Sequence, residues 1–127
     1  MYGGPLEEEP EIEGWPRQLN LPGVSLSTHP SPWNLMAHDK RALKGWLLLC
    51  RQLPENACRC YQWLSEHPLK PIPGRCFALK HQHYAGAWCY EIGNGQRVYY
   101  QPSENERVVI VYYAGPHPRK VPYPPSP

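Results

Sequence analysis

Arg97 stands where a purely structural strand would carry an apolar residue. It opens the segment RVYYQ (97–101), directly after the turn signal Asn94-Gly95. A guanidinium there can fork onto two oxygens of one phosphate. Further along, His117, Arg119 and Lys120 lie in a proline-rich tail, and Lys80, His81 and His83 precede the aromatic segment YAGAWCYEI. Imidazole titrates near neutrality and suits proton transfer to a leaving oxygen. A lysine serves as base only when a neighbouring cation or burial lowers its pKa. Together these residue types fit metal-independent cleavage of a phosphodiester: a base, a cation for the charged intermediate and an acid. Bland readings stand beside each one. Arg97 can pair with Glu91 across a hairpin, which would also hold the guanidinium in place. His117 can be an exposed loop histidine, and Lys80 a solvated edge lysine. His81 and His83 would share one side of a continuing strand, but no third ligand is in view, so no metal is expected.

These residues need elements to position them. Pro32–Ala37 has the composition of a short first strand. In HDKRALKGWLLLCRQL, Asp39 is a plausible N-cap, and Leu43, Trp46, Leu47, Cys50 and Leu53 fall on one helical face. Pro54 ends that helix and suits the start of a second, in which Ala57, Cys60, Tyr61 and Leu64 repeat at helical spacing. Four strands follow: 76–80, 87–92, 97–101 and 107–114. The last is apolar on both faces and is expected at the centre of the sheet.

The hairpin register follows from which side chains must share a face. A two-residue Asn94-Gly95 loop would pair Ile92 with Arg97 and place the arginine among apolar side chains. A three-residue loop, 93–95, pairs Ile92 with Gln96, Glu91 with Arg97, Tyr90 with Val98 and Trp88 with Tyr100. Only this second register keeps the apolar set together. It puts Arg97 on the face away from the helices, with Glu91, Cys89 and Tyr99. Trp46, Trp88 and Tyr100 are expected to hold helix to sheet.

The rest of the composition sets the surroundings. Of 127 residues 17 are proline, concentrated at the ends, so the packed unit is shorter than the chain. Residues 1–31 form an acidic Pro/Gly-rich arm with five glutamates against Arg17, a net −4, whose Trp15, Leu19 and Leu21 could dock on the domain. Residues 32–123 form the folded domain, and residues 124–127 a proline-rich end. From residue 32 onward, 12 Lys/Arg face six Asp/Glu, a net +6 that suits a polyanionic partner. Five cysteines match no disulfide framework or zinc spacing and read as small buried hydrophobes. No apolar run reaches the ~20 residues of a membrane helix, and MYGGPLEEEPEIEG lacks a signal-peptide core. A reducing, cytoplasmic setting without membrane contact is expected.

The order β-α-α-β-β-β, with DKRALKGWLLL, ALKHQHYAGAWCYEIGNGQRVYY and a valine-rich strand ending AGPHPRKVPY, resembles the RelE/ParE toxin superfamily. The match runs from about Trp33 to Tyr123 and is closest to the RelE/YoeB mRNA interferase branch. The resemblance implies an α+β fold: a twisted antiparallel sheet with an N-terminal αα-hairpin on one face. It implies a toxin that inhibits translation as an endoribonuclease, cutting mRNA on the ribosome without metal or small-molecule cofactor and blocked by a cognate antitoxin protein. It assigns catalysis to Lys80, Arg97, His117 and Tyr123, and RNA binding to His81, Tyr99, Arg119 and Lys120. One position departs: YoeB-like members carry a carboxylate on the strand before the lysine, and this chain has Phe77. Two alternatives accompany this reading, a ParE-like toxin that binds DNA gyrase and a catalytically degenerate binding protein of the same fold.

Overall fold

The computed structural model describes residues 17–21 and 32–125. Strand β1 (Asn34–Ala37) leads into helix α1 (Lys40–Gln52) and helix α2 (Pro54–Glu66). Strands β2 (Cys76–Ala78), β3 (Trp88–Gly93), β4 (Gln96–Ser103) and β5 (Val108–Pro116) complete a five-stranded sheet in the order β1-β5-β4-β3-β2. The pairs from β5 to β2 are antiparallel, and β1 runs parallel to β5. The parallel edge is what the αα-hairpin permits, because two helices separate β1 from the rest of the sheet. The architecture is the expected α+β one, a mixed sheet with the helices on one face. β5 lies inside the sheet as its apolar run requires, although β4 holds the centre.

Each helix begins as its sequence dictates. Asp39 caps α1, its Oδ1 accepting from the Ala42 amide at 2.9 Å. Pro54 occupies the first turn of α2, where no amide is needed. The buried stripe of α1 is Ala42, Trp46 and Leu49, not the stripe through Leu47, which is 41% exposed. Gly45 accounts for the rotation. A Cβ at Gly45 would lie 2.0 Å from the Ala114 carbonyl oxygen, so the α1 backbone rests directly on β5. Ala42, Gly45, Trp46 and Leu49 form the face that permits this approach. In α2 the expected positions Ala57, Cys60 and Leu64 are buried.

The core between helices and sheet includes Leu35, Ala37, Trp46, Leu49, Leu64, Ile92, Val98, Tyr100, Val109 and Val111. Trp88 is only half-buried and stacks on Tyr100 at 6.2 Å. Leu19 is fully buried in this core: its amide donates to the Leu35 carbonyl, the Ala37 amide donates to the Arg17 carbonyl, and Trp46 Nε1 donates to the Asn20 carbonyl at 2.9 Å. Residues 17–21 therefore line the outer edge of β1 and join the core. Trp15 and the glutamates of the arm lie outside the described residues.

The β3–β4 register matches expectation at Trp88–Tyr100, Tyr90–Val98 and Glu91–Arg97, with Cys89 opposite Tyr99. The end of the hairpin differs. Gly93, not Ile92, faces Gln96, and the ladder shifts between Glu91 and Gly93. The turn is the two-residue Asn94-Gly95, with both φ angles positive at 53° and 75°. A bulge at Ile92 absorbs the extra residue, so a tight turn and the correct faces coexist. Asn56 Nδ2 and Arg75 Nη1 both donate to the Ile92 carbonyl, at 2.9 and 3.4 Å, tying the bulge to α2 and to the loop before β2.

Candidate functional site

Alternation along β4 turns Val98 and Tyr100 toward the helices and Arg97, Tyr99 and Gln101 toward the far face. On that face Arg97 Nη1 lies 2.9 Å from Glu91 Oε2, with side-chain exposures of 22% and 34%. The ion pair and the reachable guanidinium coexist. Arg97 Nε is buried and has no hydrogen-bond partner among the described residues. Burial alone would lower the pKa of Arg97, but Cys89 and Glu91 beside it outweigh burial and raise it, so the guanidinium is a fixed positive charge. Burial pushes the neighbouring Cys89 thiol up to about 11, against the lowering effect of Arg97. Cys89 is therefore a packing residue, not a nucleophile.

The C-terminal tail turns back beneath the sheet and covers the middle of this face. The Tyr84 hydroxyl donates to the Val121 carbonyl at 3.5 Å, Tyr112 donates to Pro122 at 3.3 Å, and Tyr113 donates to Pro116. A bulge in β5 makes this possible: Tyr99 faces Tyr113, Tyr100 faces Val111, and both Tyr112 and Tyr113 approach the Tyr99 ring, at 6.3 and 5.8 Å. Tyr99 is 2% exposed and Cys89 1%. Burial pushes the Tyr99 phenol up to about 12, with Cys89 adding to the rise. The expectation that Tyr99 meets RNA on an open face is corrected. The face is roofed, and Tyr99 is its buried floor.

The other expected site residues fall into two groups. His117 is exposed at the hairpin end: its amide donates to the Gly95 carbonyl, two residues past Gly115, the cross-strand partner of Arg97. Its Nδ1 lies 2.9 Å from the Pro118 carbonyl, which can only accept, so Nδ1 donates and Nε2 remains for proton transfer. Lys80 stands at the opposite end. Strand β2 stops at Ala78, level with Trp88 and Tyr100. Lys80 thus lies two residues beyond the end of β2, on the side away from the Glu91–Arg97 pair. It is exposed, beyond the strand in which it was expected, and the structure does not bring it to Arg97. His81 and His83 do not continue a strand either. They lie in and beside a single 3-10 turn (Gln82–Tyr84), rings stacked at 4.6 Å. Tyr123 joins them, 6.1 Å from His83 and 5.1 Å from Tyr84, with Lys120 Nζ 5.5 Å from its ring. Arg119 is exposed on the tail between the two groups. Phe77, opposite Cys89, lies on the same far face, and Glu91 is the carboxylate beside Arg97. A cleft of about 350 Å³ opens where the tail meets α1, between Asp39, Arg41, Tyr112, Tyr113 and Pro122.

Sequence reasoning missed Tyr84 and Tyr112 as anchors of the tail. The signal was present in the pairing of a tyrosine-rich sheet with a proline-rich end.

A helical hairpin packed on one face of a five-stranded sheet is a fold this chain shares with solved YoeB/ParE and RelE toxins. The chain is similar in structure to the YoeB/ParE toxin from Agrobacterium tumefaciens (TM-score 0.54, 18% identity, 66% of this chain and 98% of that one). It is similar to the archaeal RelE-RelB complex from Pyrococcus horikoshii OT3 (0.53, 15%, 70% and 99%) and to the heterotetrameric YoeB-YefM toxin-antitoxin complex from Staphylococcus aureus (0.52, 16%, 68% and 98%). No protein-family model and no curated protein sequence matches the chain.

Proposed function

We propose that the chain is the toxin of a toxin–antitoxin pair and an mRNA endonuclease acting on the ribosome in the cytoplasm, held in check by a cognate antitoxin. The observation that carries this reading is the Arg97–Glu91 pair at the hairpin end of the far face, with His117 at the same end. Two of the structural neighbours are complexes that include an antitoxin, which supports an antitoxin partner here. Arg97 forks onto the scissile phosphate and stabilises its developing charge. Glu91 orients the guanidinium and, in the absence of a carboxylate at Phe77, takes the proton of the 2′-OH. His117 Nε2 protonates the leaving 5′-oxygen. Lys80, Tyr123 and the other basic tail residues act on the RNA away from the scissile bond.

The test is transcript cleavage on translating ribosomes. Arg97→Ala and His117→Ala should each cut ~100- to 1000-fold more slowly, the usual loss for one transition-state donor. Arg97→Ala should also weaken RNA binding, whereas His117→Ala should lower the chemical step alone. A gyrase-binding toxin would instead break DNA, leave transcripts intact and ignore His117. Phe77 at the carboxylate position favours one further reading, a binding protein without catalysis. Under it, intact transcripts would accompany unaltered antitoxin binding.

A further inference from the structure

We propose that Tyr113 is the positioning residue of His117: its hydroxyl holds the Pro116–His117 peptide by the carbonyl while the hairpin turn holds the same peptide by the amide. The inference rests on the catalytic role given to His117 above and concerns how that imidazole is kept in place. The Tyr113 hydroxyl donates to the Pro116 carbonyl, and the His117 amide donates to the Gly95 carbonyl at 2.7 Å. Both groups belong to one trans peptide unit. Such a unit is planar and includes the Cα atom at either end. Two hydrogen bonds on opposite edges of the plane therefore fix the His117 Cα against both β5 and the Asn94-Gly95 turn. The ring is set in turn by the contact of Nδ1 with the Pro118 carbonyl, and Pro118 restricts the His117 backbone to extended conformations.

The local sequence is arranged for this contact. Tyr113 and Gly115 share the far face of β5, opposite Tyr99 and Arg97. Gly115 has no side chain, and the end of the Tyr113 ring takes the space: a Cβ at Gly115 would lie 3.4 Å from the Tyr113 hydroxyl oxygen. The glycine thus lets the phenol lean along the strand as far as Pro116. The ring is itself steadied by the buried Tyr99, which it meets edge-on at 5.8 Å. Burial raises the Tyr113 pKa, so the hydroxyl keeps at neutral pH the proton it donates. Pro116 ends β5, and the residues beyond it have no regular secondary structure, so no strand ladder holds His117. A displacement of about 1 Å in a catalytic group can cost on the order of 100-fold in rate. The two-sided clamp on the peptide supplies the restraint that the ladder does not.

The experiment pairs Tyr113→Phe, which removes the hydroxyl and keeps the ring, with His117→Ala in the full chain. In single-turnover cleavage of transcripts on translating ribosomes, Tyr113→Phe should slow the maximal rate about tenfold. The ribosome concentration at half-maximal rate should stay within about twofold of the parent's, since Tyr113 acts through His117 and not on the RNA. In a His117→Ala background the same substitution should change the residual rate by less than about twofold, because the group it positions is gone. Amide hydrogen exchange reads the clamp without catalysis. Exchange at the His117 amide should quicken about five- to tenfold in Tyr113→Phe, while the Leu19 amide, bonded to the Leu35 carbonyl beside β1, should exchange as in the parent. A Tyr113→Phe protein with the parent's rate, a loss as large without His117 as with it, a loss carried by weaker binding, or unchanged exchange at His117 overturns the inference. Faster exchange at His117 in a chain whose parent leaves transcripts uncut supports the clamp and refutes the endonuclease. Cleavage that needs His117 and ignores Tyr113, with exchange at His117 unchanged, does the reverse.

Discussion

The two faces of the sheet are covered by different chemistry. On the helix side, α1, α2 and residues 17–21 bring apolar volume, and the backbones touch where Gly45 meets Ala114. On the far side the cover is a strap of tail rich in proline. Proline has no amide proton, so such a strap offers the sheet carbonyls and few donors. The donors come from the other side, the hydroxyl of Tyr112 in β5 and that of Tyr84 in the turn before β3. The tyrosines of this chain are in part the complement of its prolines. One cover excludes water by packing. The other leaves Arg97, Glu91 and His117 at the hairpin end and the rings of His81, His83 and Tyr123 exposed where the tail ends.

If the helix face carries the stability, its loss should dominate. Trp46→Ala removes a fully buried ring and should cost roughly 3–5 kcal/mol in urea unfolding. Gly45→Ala is a smaller chemical change but must push α1 off the Ala114 carbonyl. Overpacking of this kind costs about 1–3 kcal/mol, and a neutral Gly45→Ala would show that the helix does not rest on β5 as described.

The far face should respond less. Truncation after Pro116 deletes the acceptors of Tyr84 and Tyr112 and should cost about 1–3 kcal/mol, near the net worth of two hydrogen bonds and some apolar cover. Cys89, now sealed, should become open to alkylation, as peptide mass spectrometry would show. Alkali sharpens the contrast. Burial raises the Cys89 thiol to about 11 and the Tyr99 phenol to about 12, above their ordinary values. Groups raised in this way bind protons more tightly in the folded state. Their stabilisation is full below pH ~9 and is lost as pH climbs to 11–12. The truncated chain should lose less stability between pH 8 and 11 than the full chain, because its Cys89 and Tyr99 are no longer sealed.

The helix face was largely legible in the sequence, and the far face was not. Binary patterning placed Val98, Tyr100, Ala57, Cys60 and Leu64 correctly, because a one-residue slip would have turned each away from the core. It misplaced Leu47, since five consecutive apolar residues (Trp46–Cys50) contain two overlapping stripes and the deciding residue was a glycine. The hairpin faces were derived correctly from the wrong loop length. A bulge at Ile92 is invisible to a pattern of period two, because it is defined by a contact with Asn56 far away in sequence. The tail defeated the reading more fully. Proline-rich segments have no periodicity, so nothing local predicted that residues 117–123 would return under the sheet. Arg97 and Glu91 were found as neighbours because one cross-strand pair decided it. Lys80 was placed with them by order along the chain, which says little about distance across a sheet.

The smallest effect on stability tests the division of labour between the faces most directly. Glu91→Gln keeps the shape of the side chain and removes its charge. The pair it forms with Arg97 is partly exposed, and such pairs contribute about 0–1 kcal/mol, so unfolding should barely move. Cleavage should nevertheless fall, for two separable reasons. If Glu91 only orients Arg97, the rate falls at every pH and the shape of the pH–rate profile is kept. If Glu91 also takes the 2′-OH proton, the rate falls and the acid-side limb of the profile disappears with it. A Glu91→Gln protein as stable and as active as the parent would place the base elsewhere on the molecule. A strongly destabilised one would show that the far face, like the helix face, is built first for folding.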